Sequence, residues 1–159
     1  MTVTLTVSEA SLAAAAQSVQ SAVEKARPKI LKAMSDRCYA IIMANFGIAG
    51  PERPWAWEPL SYEYAKKVGR TFATLEVSGA LRASVMQGGF EGESTTIEMS
   101  DSSVPYAGAH HHGVPRGNRR HPGLPGRRVF PIDESGKVLD WTKSEIAEAA
   151  RQAVAEALS

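Results

Sequence analysis

Two stretches of helical periodicity lie at opposite ends of this chain, and what separates them is broken into short pieces by glycine and proline. The first covers residues 8–47. Ser8 can cap it, and Leu12, Ala15, Ala16, Val19, Ala22, Val23 and Ala26 recur at the spacing of one helical face. Pro28 suits the first turn of a second helix, and Ile30, Leu31, Met34, Cys38, Ile41 and Ile42 continue the stripe until Gly47. Two helices broken near Pro28 and one kinked helix satisfy this pattern equally. At the other end, Thr142 and Glu145 have the spacing of a capping box, with Trp141 and Ile146 placed as a hydrophobic staple. Ile146, Ala149, Ala150, Ala153, Val154, Ala157 and Leu158 then form one apolar face.

Between these helices the pattern changes several times. Residues 1–7 alternate threonine with valine or leucine and read as a strand. Residues 50–59 hold three prolines with Trp55 and Trp57, a loop with aromatic anchors. Ser61 opens a short helix through Lys67 that Gly69 closes. Ser78 and Gly79 lead through Leu81 into a strand over residues 83–87, Gly88 and Gly89 turn the chain, and residues 94–99 return antiparallel as a hairpin. Residues 104–130 carry four prolines, five glycines, five arginines and all four histidines, and are expected to form a long, extended surface loop. The architecture predicted is α+β: N-terminal helices and a C-terminal helix packed on a small, mostly antiparallel sheet, in one domain over residues 1–159.

Composition narrows the function classes. A chain of 159 residues with 43% apolar and 22% charged side chains can close one core. No run is long and apolar enough for a membrane span, and the start lacks the basic-then-apolar pattern of a secretory signal. The single Cys38 sits in a helical stripe, so a buried thiol is expected and no intrachain disulfide is possible. A formal charge of +1 gives no global attraction for nucleic acid. Any such partner must be held by a local patch, and Arg116, Arg119, Arg120, Arg127 and Arg128 form one.

The chemistry-bearing residues point away from catalysis. His110, His111 and His112 on an extended backbone would point alternately, so at most His110 and His112 share a face, and no nearby cysteine completes a zinc set. Ser78 and Ser84 lack a nucleophile elbow, and the glycines form neither a phosphate loop nor a dinucleotide fingerprint. No catalytic residue, metal or cofactor is assigned. The five arginines are candidate partner contacts, to acidic protein surfaces first and to DNA phosphates as the alternative, but no aromatic residue interleaves them to stack bases.

The order of motifs resembles the phage virion morphogenesis family, the tail completion proteins of Mu-like and related tailed phages. The resemblance rests on Trp57, Pro59, Leu60 and Ser61 with Lys66 and Lys67; on Ser78, Gly79, Leu81, Arg82 and Ser84; on Pro105, Tyr106, Ala107 and Gly113; and on Pro125, Gly126, Arg127, Arg128, Val129, Phe130 and Pro131. It covers the chain from about Phe46 onward. It implies an α+β structural subunit of the virion, present in the host cytoplasm during assembly. Such a subunit would form a homo-oligomeric ring and contact tail tube, tail terminator or connector proteins, with neither turnover nor a membrane partner. Trp55, Trp57, Leu60, Gly79, Leu81, Tyr106, Phe130 and Trp141 are the expected structural anchors. A DNA-binding accessory module that uses the basic loop is the alternative.

Overall fold

A computed structural model describes residues 8–47, 57, 62–69, 79–91, 94–99, 104–114 and 126–158. Its elements are α1 (Glu9–Gly47), α2 (Tyr62–Val68), α3 (Ala80–Ala83), β1 (Val85–Glu91), β2 (Ser94–Met99), α4 (Ala107–His112) and α5 (Asp140–Leu158). The fold is α+β, with helices around a two-stranded antiparallel hairpin. The strand expected over residues 1–7 lies outside the described residues.

Helix α1 begins as its sequence dictates: the Ser8 hydroxyl oxygen accepts a hydrogen bond from the Ser11 backbone N–H at 3.2 Å, which satisfies one orphan donor of the first turn. It then runs 39 residues without interruption through Pro28. Proline removes one helical hydrogen bond and costs about 3 kcal/mol in an unsupported helix. Here α5 lies antiparallel along α1 and spans the weak point. Glu156 and Ala157 line one hollow with Ala22 and Ala26 before it and Lys29 just after it, and Glu145 pairs with Arg37 two turns further on. Pro28 itself is exposed, where the freed carbonyl can reach water. Of the two alternatives, the structure therefore takes the single helix through Pro28 and not two helices broken there.

The capping box at the start of α5 does not form. The helix starts earlier, with the Lys143 N–H on the Leu139 carbonyl at 3.1 Å, so Thr142 falls inside it. The Thr142 side chain is fully buried, and its hydroxyl has no hydrogen-bond partner among the described residues. Glu145 turns outward instead, and one of its carboxylate oxygens accepts from both Nε and Nη2 of Arg37. The shift also removes the staple: Trp141 sits in the first turn and stays 37% exposed.

The hairpin lies on the flank of α1. Ser35 Oγ is 3.3 Å from Thr95 Oγ1, and Gln87 Nε2 donates to Ser35 Oγ at 2.7 Å and to Asp36 Oδ1 at 2.9 Å. Val85, Met86 and Gln87 pair with Met99, Glu98 and Ile97, whereas Phe90 and Glu91 pair with Thr95 and Ser94. Gly88 and Gly89 thus both face Thr96 in a bulge, and the chain reverses only after Glu91. A Cβ on Gly88 would stand 3.3 Å from the Thr96 carbonyl oxygen, which is why the close approach takes glycine. The turn expected at this pair is a bulge because both need the same residue. The strand start also moves: residues 80–83 are the one-turn helix α3, entered through left-handed backbone at Gly79 (φ 72°), and β1 begins at Val85.

The core gathers where the C-terminal part of α1, α3, β1, α4 and the segment before α5 meet. Ile42, Phe46, Leu81, Val85, Val104, Ala107 and Val129 are buried there, with Cys38, Tyr39, Met43, Trp57, Ile97, Met99 and Phe130 packed around them. At the opposite end of α1 every residue from 8 to 21 is exposed. No described helix is long and apolar enough to cross a membrane.

Candidate functional site

The arginine-rich segment springs from a fixed base. Val104, Ala107 and His111 are all buried, at the three- and four-residue spacing of one helical face, and they seat α4 on the core. Residues 107–112 are therefore helical, which corrects the expectation of an extended surface loop throughout 104–130. The burial of Val129 corrects it again at the other end. Helical spacing also changes the histidines: the consecutive rings spread around a helix instead of alternating across a strand, and His111 alone is buried.

His111 acts as a structural acceptor. Its Nδ1 accepts the Val129 N–H at 3.0 Å, which leaves the ring proton on Nε2. Its ring meets Phe130 edge-on at 5.5 Å and His112 at 4.7 Å. Burial, followed by the neighbouring His112 and Arg128, pushes its pKa down to about 4. His110 is also lowered, by burial first and then by Arg127. The Tyr106 ring stands edge-on to His110 at 5.4 Å and is itself 45% exposed. Among the described residues no group of three or more potential ligands is arranged to hold a metal ion.

Three further contacts tie down the returning limb of the segment. The Arg127 N–H donates to the His110 carbonyl at 2.6 Å, and Trp57 Nε1 donates to the Arg128 carbonyl at 2.8 Å. Gly126 packs so closely on α4 that a Cβ there would lie 3.1 Å from the His112 carbonyl carbon and oxygen. Gly113 and Gly126, on either side of residues 114–125, thus lie in contact.

Of the five candidate contact arginines, Arg116, Arg119 and Arg120 lie outside the described residues, as do the anchors Trp55 and Leu60. Arg127 is only 5% exposed, and its position in the base makes it part of the support. Arg128 is half-buried and ion-paired with Glu134 at 3.3 Å, so part of its charge is already answered. Trp57 stacks edge-on against Phe46, with ring centroids 6.3 Å apart, and Leu81 and Phe130 join the same core. The role of His111 was missed from sequence, although the spacing of Val104, Ala107 and His111 carried the signal.

Replacing Trp57 by phenylalanine should keep most of the ring packing and remove only the donor to Arg128. A loss of about 1 kcal/mol in urea unfolding is expected. Unchanged stability would mean that water serves that carbonyl equally well.

Compared with known proteins, the chain matches no protein-family model, no curated protein and no solved structure.

Proposed function

We propose that the chain is a structural subunit of a tailed phage or prophage, acting in tail completion or head-tail joining by contacts with its own copies and with neighbouring virion proteins. One observation supports this above others: the scattered residues that carry the family resemblance meet in space. Trp57, Leu81, Ala107 and Phe130 come from four separate segments and pack at one core. Packed together there, they support the fold that holds the two ends of the arginine-rich segment together. In this role the basic segment meets acidic faces of partner proteins, where opposite charge speeds encounter and fixes orientation.

The DNA alternative draws less from the same geometry, since Arg127 is buried and Arg128 is paired with Glu134. The test is genetic and visual. Deleting the coding sequence from the phage or prophage genome that carries it should yield unjoined heads and tails, or tails with unfinished ends, in electron micrographs of the lysate. Infectivity should return when the chain is supplied from a plasmid. Complete, infectious particles made without it would overturn the proposal.

A further inference from the structure

Helix α1 outruns its neighbour α5. Glu156 and Ala157, near the end of α5, reach α1 at Ala22 and Ala26, and α5 ends at Leu158. Beyond that level residues 8–21 continue for about 20 Å with every side chain exposed. The apolar face that α5 covers does not stop there. Leu12, Val19 and Val23 carry it on, with Leu12 64% and Val19 51% exposed. A surface helix ordinarily sets charges on its wet side. Here no charged residue stands between Glu9 and Glu24, so this length lacks the charged flank that supports a helix alone in water.

The pattern fits a second copy laid antiparallel along it. Around a helix of 3.6 residues per turn, Leu12 stands midway between Val19 and Val23. An antiparallel pair therefore seats each Leu12 between Val19 and Val23 of the other copy, and both ends of the contact close together. Glu9 and Arg27 are 18 residues apart, five whole turns, so they lie on one line of the helix. A two-fold axis brings that line against the same line of the other copy, with each Glu9 facing Arg27 of its neighbour. The Arg27 side chain is 45% exposed and stands 3.8 Å from Glu24. A parallel pair would instead set Glu9 against Glu9. A strongly charged partner would find no charge to answer between Glu9 and Glu24.

We propose that residues 8–23 of α1 pair antiparallel with the same residues of a second copy, about a two-fold axis near Ala16. Each overhang then covers the length that α5 leaves bare on the other. A strip of this length and about 10 Å width falls well short of the roughly 1,200 Å² of a stable interface, so the dimer is weak, with a Kd of about 100 μM. The contact is isologous and closes at two copies, so it joins pairs and builds no ring by itself. This deepens the assembly role proposed above, and rests on that reading only for the copies being gathered in one particle.

The test uses the full chain. Light scattering up to about 1 mM should show a monomer passing into a dimer, and Leu12→Lys/Val19→Lys should weaken the dimer about a hundredfold, since it brings like charges together. Both positions are exposed, so helical circular dichroism should stay unchanged. In a Cys38→Ala background, Ala16→Cys should form a disulfide dimer on mild oxidation, whereas Ala14→Cys, on the opposite face of the helix, should form little. A monomer throughout this range, with the overhang covered by another part of its own chain or by nothing, would overturn the proposal. So would association that ignores the double substitution, or equal cross-linking from positions 14 and 16. Each of these three results leaves the assembly role standing through another surface. Complete phage particles made without the chain would end that role and leave this pairing as it is.

Discussion

An alanine at position 46 should lower the unfolding free energy by about 3–5 kcal/mol, enough to leave a marginally stable domain largely unfolded. Phe46 is 1% exposed, so its removal opens a cavity that a helix backbone cannot collapse to fill. It is also the residue through which α1 touches Trp57, and Trp57 in turn holds the Arg128 carbonyl. The damage therefore reaches the base of the arginine-rich segment as well as the core. The comparison that isolates burial is Leu12→Ala, on the same helix and 64% exposed, which should change stability by no more than about 0.5 kcal/mol. Urea unfolding followed by circular dichroism measures both. Equal effects at the two positions would contradict the core described here.

Acid should begin to loosen the domain from about pH 6.5 downward, through His111. His111 has a folded pKa of about 4 against 6.5 for an unhindered histidine, because burial first, and then His112 and Arg128, oppose its charge. With the folded value depressed, the unfolded chain takes up the proton first as pH falls. The neutral ring's contribution is therefore complete above about pH 6.5, and is lost progressively between 6.5 and 4. A shift of this size corresponds to about 3 kcal/mol. Charging the ring also places a proton on Nδ1, which must then release the Val129 N–H. His111→Phe keeps an aromatic ring against Phe130 but cannot be protonated. It should be less stable than the parent at pH 7, by about 1–3 kcal/mol for the unpaired Val129 donor, and should show a flatter slope between pH 6.5 and 4.5. Parallel slopes for the two chains would place the acid sensitivity elsewhere. The lowered carboxylates of Asp36, Asp133, Asp140 and Glu148 lose their contribution as pH falls through their ordinary values of 3.8 and 4.5, at the acid end of this window and below it.

Local signals were legible in the sequence where nothing distant competed with them. Ser8 caps α1, Gly47 ends it, Gly69 follows α2, and the threonine-rich stretch forms β2 as expected, each on the chemistry of a few neighbouring residues. Tertiary contacts decided the failures. Pro28 leaves a break and a single helix equally open until α5 spans it, and Glu145 reads as half of a capping box until Arg37 offers it a charge. Gly88 and Gly89 suit a turn or a bulge equally, and pairing with Thr96 makes the choice. The α4 helix has six residues, under two turns, so its periodicity is faint, and histidine is a weak helix former that does not announce it. The sequence singled out the region around the histidines and arginines but not the division of labour within it. His111 and Arg127 belong to the support, and only the burial of their neighbours separates them from residues of the same types a few positions away.

The close seating of Gly126 on α4 has a consequence for how such a chain can vary. With the two ends of the arginine-rich segment pinched together, a change in the length of this tip alters the entropy of closing it by only about 0.6 kcal/mol for each doubling. Insertions, deletions or exchanged charges at that tip would hardly disturb the body that carries it. Recognition of a new neighbour could be rewritten there while the scaffold stays the same.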